Sequence, residues 1–166
     1  MDADGSHRAV DLPRLLEVLD WRPDVDLVIG SRWVRGGRVV NWPKHREALS
    51  RGANLFTRAM LGLGVNDATA GFRAFRADTL RNLDLDTVDS AGYCFQIDMT
   101  RRVLDTGGSI VEVPIAFVER EHGVSKMTGN IIREALVKVT AWGVAKRAQQ
   151  LRDLAQGVRR RLQRRR

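Results

Sequence analysis

Two hydrophobic periods alternate along the chain. LPRLLEVLDW, from Leu12, spaces its apolar residues as one face of a short helix, and DLVIG after it is a compact apolar strand. SRWVRGGRVVNWPKHR, with paired glycines and a proline, reads as a loop. From about Pro43 to Leu61 the spacing is helical again, with Pro43 suited to the first turn. GLGVNDATAGFRAF reads as a turn and loop entering a short strand, and ADTLRNL as a brief helix. SAGYCFQIDMTRRVLDTGG predicts a longer helix closed by Gly107 and Gly108. SIVEVPIAFVER predicts one strand with Ile110, Val113, Ile115 and Phe117 inward; HGVSKMTGN is a loop, and from Ile131 the chain reads as helical for most of its remainder. Alternating strands and helices predict a layered α/β architecture.

Length and composition narrow the class. The 166 residues suffice for one domain with a core, and 43% apolar with 29% charged residues is ordinary for a globular protein. The single cysteine, Cys94, excludes an internal disulfide framework and suits a reducing compartment. The sequence shows no secretory signal and no run approaching the roughly 20 apolar residues of a membrane span. The net charge of +8 resides entirely in residues 144–166; residues 1–143 carry 19 basic and 19 acidic side chains. A neutral body (1–143) and a basic tail (144–166) are therefore the expected division.

Three groups of residues could carry chemistry. Asp2 and Asp4 flank Ala3, and on extended backbone their carboxylates point the same way, as hard-oxygen ligands for Mg²⁺ or Mn²⁺ would. Arg32 and Arg46 flank a glycine-rich loop, with Ser50 one helical turn beyond Arg46; guanidinium forks match a phosphate monoester. Arg120 and Lys126 bracket REHGVSK and could clamp a diphosphate. Each pattern alone is more often solvated surface than a site. His7, His45 and His122 have no metal-ligand spacing, and Cys94 reads as a buried small hydrophobe.

The segments DADGSH, VIGSRW, NWPKHREALSRGAN, DATAGFRAF, GYCFQIDM, VEVPIAFVERE and GVSKM, in that order, together resemble polyprenol-phosphate (dolichol-phosphate) mannose synthases, family 2 glycosyltransferases of the GT-A fold. The resemblance runs from Asp2 to about Gly143. It implies transfer of mannose from GDP-mannose to a polyprenyl phosphate, with inversion at the anomeric carbon. It also implies that Asp2, Ala3 and Asp4 hold donor and metal, with Ser6 as a further metal or donor contact. Arg120 and Lys126 match donor-diphosphate positions; Arg32, Arg46 and Ser50 match acceptor-phosphate positions, with Arg32 also near the donor. The catalytic group so implied is Asp4, Arg32, Arg120 and Lys126. A lipid phosphate is already anionic near neutral pH, so this reaction requires cations and not a general base. Asp67 and Arg73 fall within the resembling segments, without a role beyond shaping the acceptor side.

The GT-A fold also places a Rossmann-like nucleotide-binding half before the aspartate pair, and the chain lacks that stretch. A partial α/β fold is the expectation, inactive and poorly stable unless the N-terminal half is supplied by the same polypeptide or another chain. In the tail, Val144, Ala148, Leu151, Ala155, Val158 and Leu162 recur at three- and four-residue intervals among arginines. A basic amphipathic helix would suit an anionic membrane surface at the cytoplasmic face, where the acceptor's phosphate lies; a solvated, partly disordered tail is the equal alternative. Nucleic acid is disfavoured, because the tail has no aromatic residue to stack on bases. The competing readings are a polyprenol-phosphate transferase using a UDP-sugar, and a non-catalytic remnant acting as a membrane-surface module.

Overall fold

The computed structural model describes residues 4–90, 92–119 and 129–163. A 3₁₀ turn at Ala9–Asp11 leads into helix α1 (Leu12–Trp21), then strand β1 (Leu27–Ser31), β2 (Arg38–Val40), α2 (Lys44–Leu61), β3 (Arg73–Phe75) and α3 (Ala77–Asn82). A second 3₁₀ turn at Leu85–Thr87 precedes α4 (Gly92–Asp105), β4 (Ile110–Pro114), β5 (Ala116–Val118) and α5 (Gly129–Gln163). The architecture is α/β with a mixed sheet, as the alternating periods predict.

The centre of the fold is β1, every residue of which is buried. It pairs antiparallel with β3 and parallel with β4, giving the order β3-β1-β4. A strand buried on both faces reads as a continuous apolar run, and LVIGS is one. One face carries Leu15 of α1 with Val25, Val28, Phe72, Val113 and Ile115. The other carries Leu27 and Ile29 against Leu61 of α2, Ile97 and Met99 of α4, and Val139 of α5. Two apolar faces on one sheet require helices on both sides, and α1 and the α2/α4/α5 group supply them.

Three expectations need correction. The segment read as a loop contains β2, which pairs in parallel with β5 as a separate two-stranded sheet. Its three residues are only half-buried at best, so they show no alternation to read. The segment read as one strand is two, divided at Ile115 between the two sheets. Ile110 joins the α2/α4/α5 core, whereas Val113 and Ile115 join the α1 core, so the four residues do not share one face. Pro43 also stands just outside its helix, with an extended ψ of 139°, and helix α2 begins at Lys44.

The helix ends follow local chemistry. Gly62 closes α2 at φ +65°, its N–H donating to the Arg58 carbonyl at 2.8 Å. Gly143 lets α5 cross α2 closely: a Cβ there would lie 2.7 Å from the Met60 carbonyl oxygen. Beside that crossing the Lys146 ammonium donates to the Leu61 carbonyl at 2.7 Å, and Arg147 to Ala59 at 3.1 Å. Cations at the carbonyl end of a helix are favourably placed. Helix α5 runs unbroken across residues 143 and 144, so the basic tail continues the element that packs the body.

Candidate acceptor-phosphate site

Arg32 follows directly on β1 and is only 5% exposed. Its Nε donates to Asp67 Oδ2 at 2.7 Å, and Nη2 donates to Asp67 Oδ1 at 2.7 Å and to Thr69 Oγ1 at 2.9 Å. Its backbone N–H also donates to Asp67, at 3.0 Å. Asp67 is fully buried. A buried carboxylate demands such a set of donors, and this bidentate pair provides them. Nη1 of Arg32 lies outside these bonds.

The loop that presents Asp67 is fixed by the two strands flanking β1. Glu112 on β4 accepts the backbone N–H groups of Asn66 (2.7 Å) and Asp67 (2.9 Å). Arg73 on β3 donates to the carbonyls of Ala70 and Ala68, each at 2.7 Å. Glu112 and Arg73 both lie in register with Ile29 of β1, so one row across the sheet clamps the loop from both sides. Burial pushes the Arg73 guanidinium down to about 9, with Asp67 opposing the shift.

Arg46, in the first turn of α2, is held by a second carboxylate. Its Nη1 donates to both oxygens of Glu119, at 2.5 and 2.6 Å, just beyond the end of β5. The guanidinium lies 4.1 Å from the centre of the Trp42 ring. Arg32 approaches the same ring, at 5.5 Å, and the rings of Trp33 and Phe117 at the same distance. Trp42 therefore brings the two arginines, 14 residues apart in sequence, against one surface. Ser50 is buried one turn further along α2. Its carbonyl accepts Asn54 Nδ2 at 3.0 Å, and Asn54 also reaches Thr69 at 3.1 Å, which connects Ser50 to the Arg32 network. Arg32 and Arg46 thus share the Trp42 ring, and Ser50 is tied to the Arg32 network through its backbone carbonyl and Asn54. Neither arginine is a bare cation.

The residues proposed for metal and donor are described only in part. Asp2, Ala3, Arg120 and Lys126 lie outside the described residues. Asp4 Oδ1 accepts the backbone N–H of Ser6 at 3.0 Å, and the Ser6 carbonyl accepts that of Val118 at 3.1 Å. The segment therefore runs beside the end of β5, next to Glu119. Ser6 is 1% exposed, and its Oγ has no hydrogen-bond partner among the described residues. A buried hydroxyl with unmet capacity beside a carboxylate fits a hard cation. No cluster of three or more metal-ligating side chains occurs among the described residues.

His7 stacks on Phe72 and meets Phe117 edge-on, at 5.0 and 5.1 Å, a packing role that agrees with its lack of ligand spacing. Cys94 is buried as expected, and burial pushes its thiol up to about 11. Sequence reading left Asp67 without a defined role and missed Glu119, Glu112 and Trp42. The carboxylates pair with residues 35, 73 and 45 or 46 positions away, and such pairings leave no local signature.

These features define an α/β domain in which two carboxylate-paired arginines, one just after β1 and one at the start of α2, meet at Trp42. No protein-family model matches the chain. It is 58% identical over 152 residues to the undecaprenyl-phosphate mannosyltransferase of Micrococcus luteus, covering 92% of this chain and 61% of that protein. It is 54% identical over 158 residues to the polyprenol monophosphomannose synthase of Mycolicibacterium smegmatis, covering 95% of this chain and 57% of that protein. Over nearly its whole length the chain is homologous to polyprenol-phosphate mannose synthases. It spans about three-fifths of the length of these curated relatives.

Proposed function

We propose that this chain forms the acceptor-side portion of a glycosyltransferase that moves mannose from GDP-mannose to a polyprenyl phosphate. The observation that supports this most is the convergence of Arg32, Arg46 and Trp42, with Ser50 linked through Asn54, in a chain so similar to proteins named for joining mannose to a polyprenyl phosphate. A phosphate oxygen of the lipid attacks the anomeric carbon, the bond to GDP breaks with inversion, and the leaving diphosphate carries away the electron pair. Arg46 and Ser50 position the acceptor, with Arg32 held rigidly against the same Trp42 ring as Arg46; holding two anions in line is most of the catalytic task. Asp4 and Ser6, with Asp2, would hold Mg²⁺ or Mn²⁺, which would supply positive charge to offset that of a leaving diphosphate. Arg120 and Lys126 would serve the same diphosphate.

Helix α5 would hold the enzyme at the anionic cytoplasmic face of the membrane. Val144, Leu151 and Leu154 are each more than half exposed on a helix rich in arginine. No helix among the described residues is long and apolar enough to cross a membrane. Removing residues 144–166 should abolish sedimentation with anionic vesicles while leaving neutral vesicles unbound in both forms.

The test of the reaction is transfer of radiolabelled mannose from GDP-mannose to polyprenyl phosphate. It should be run on this chain alone and on the longest polypeptide its reading frame encodes. The proposal expects label in the lipid only where a nucleotide-binding portion is also present. Transfer from UDP-glucose in place of GDP-mannose would overturn the donor assignment, and no transfer from either would favour a non-catalytic membrane module.

A further inference from the structure

Glu119 belongs to no candidate set read from the sequence, yet it occupies the cation best placed to receive a substrate. We propose that Glu119 is the resting occupant of the acceptor-phosphate site and sets its affinity, so that a phosphate monoester can enter and the phosphodiester product leaves. This rests on the acceptor reading above and adds a residue to it.

Four features of the pair support exchange. The Arg46 side chain is 13% exposed and that of Glu119 28%, so the carboxylate lies on the more open side. Arg46 lies against Trp42, and the backbone N–H of Glu119 donates to Val40 at 3.0 Å. Both anchors stay in place if only the Glu119 side chain rotates away. Nε of Arg46 and the indole Nε1 of Trp42 are buried without hydrogen-bond partners among the described residues. Unmet buried donors are costly, so an anion with more acceptor oxygens than a carboxylate gains by reaching either of them.

A phosphate monoester carries about −1.5 to −2 charges and three acceptor oxygens near neutral pH. Against one carboxylate with two oxygens, it can take over Nη1 and still meet donors that Glu119 leaves unserved. An internal competitor lowers the apparent affinity of every anion by the same factor. The dianionic substrate binds strongly enough to bear that factor. The product, a phosphodiester with one charge, starts weaker and falls below it. Return of Glu119 to Arg46 then clears the site for the next acceptor.

Calorimetric titration of the chain with farnesyl phosphate (monoester), farnesyl methyl phosphate (diester) and inorganic phosphate, in one detergent, tests this. The proteins are wild type, Glu119→Gln, Arg46→Gln and the double variant, each checked for native circular dichroism. The proposal expects Glu119→Gln to bind both farnesyl esters about fivefold tighter, the scale of a partly exposed ion pair, with their ratio unchanged. The gain should vanish in the double variant. Glu119→Asp, which retains charge but shortens the reach to Arg46, should tighten binding to a lesser degree and serves if the glutamine variant does not fold. Unchanged or weaker binding by both Glu119 variants, with binding still lost in Arg46→Gln, overturns the exchange and leaves the acceptor site standing. Farnesyl ester binding that is absent throughout, or indifferent to Arg46→Gln, overturns both. Inorganic phosphate that binds as tightly as farnesyl phosphate would also overturn the lipid assignment and the product-release role together.

Discussion

Two arginine–carboxylate pairs line the candidate site, and they differ in nearly every physical respect. Arg32 and Asp67 are sealed at 5% and 0% side-chain exposure, joined by two side-chain bonds and a backbone bond, and clamped by Glu112 and Arg73. Arg46 and Glu119 are partly open, share a single guanidinium nitrogen, and leave Nε without a partner among the described residues. The first pair has no slack and behaves as part of the fold. The second has unmet donors and solvent access, as a binding site requires. Two arginines that look equivalent as phosphate ligands in the sequence therefore differ in both burial and bonding, and the proposal gives them different tasks.

Breaking the sealed pair should have the largest effect. Asp67→Asn removes the countercharge and strands the Arg32 guanidinium in a buried site, which typically costs about 3–5 kcal/mol. Urea unfolding should show this as a large fall in midpoint, and Arg32→Met combined with Asp67→Leu should recover much of it. A shift as small as that of a surface pair would show that Arg32 is not structural.

Removing the clamp tests the same contrast less severely. Glu112→Gln keeps one acceptor for the Asn66 and Asp67 N–H groups but loses the charge, and about 1–3 kcal/mol should go. Breaking the open pair should cost least: Glu119→Gln should lower stability by about 1 kcal/mol or less. A loss as large as that of Asp67→Asn would erase the distinction.

The opposite end of β1 supplies a pH test. The Asp26 carboxyl is held below the usual carboxylate range by the hydroxyl of Thr79 first and the backbone N–H of Ser109 second. A depressed carboxylate contributes its full stability above the unfolded value and loses it as pH falls through the folded one. Unfolding midpoints measured from pH 6 down to about pH 2 should therefore decline more steeply in the wild type than in Asp26→Asn.

Helices α1 and α2 and strand β1 were legible because their apolar spacing spans two turns or a full buried run, and the structure places them within a residue or so of expectation. Strand β2 was not, since Arg38–Val40 offers three partly exposed residues and acquires strand character only by pairing with β5. The break at Ile115 was hidden for a related reason: VEVPIAFV is apolar on both sides of it, and only the sheets reveal that the chain changes partner. The arginines and Ser50 were visible through their motifs. Their carboxylate partners were not, because Asp67 and Glu119 acquire meaning from contacts across 35 and 73 residues. Sequence therefore pointed to the cations and withheld the countercharges that decide what each cation does.

The central claim is that Arg46, and not the buried Arg32 pair, provides the exchangeable phosphate contact. The most direct measurement is the melting temperature of wild type and Arg46→Gln with and without farnesyl phosphate. A ligand that binds only the folded state raises it by mass action. The account predicts that Arg46→Gln melts close to the wild type without ligand and loses most of the ligand-induced rise. A full rise retained in Arg46→Gln would contradict it.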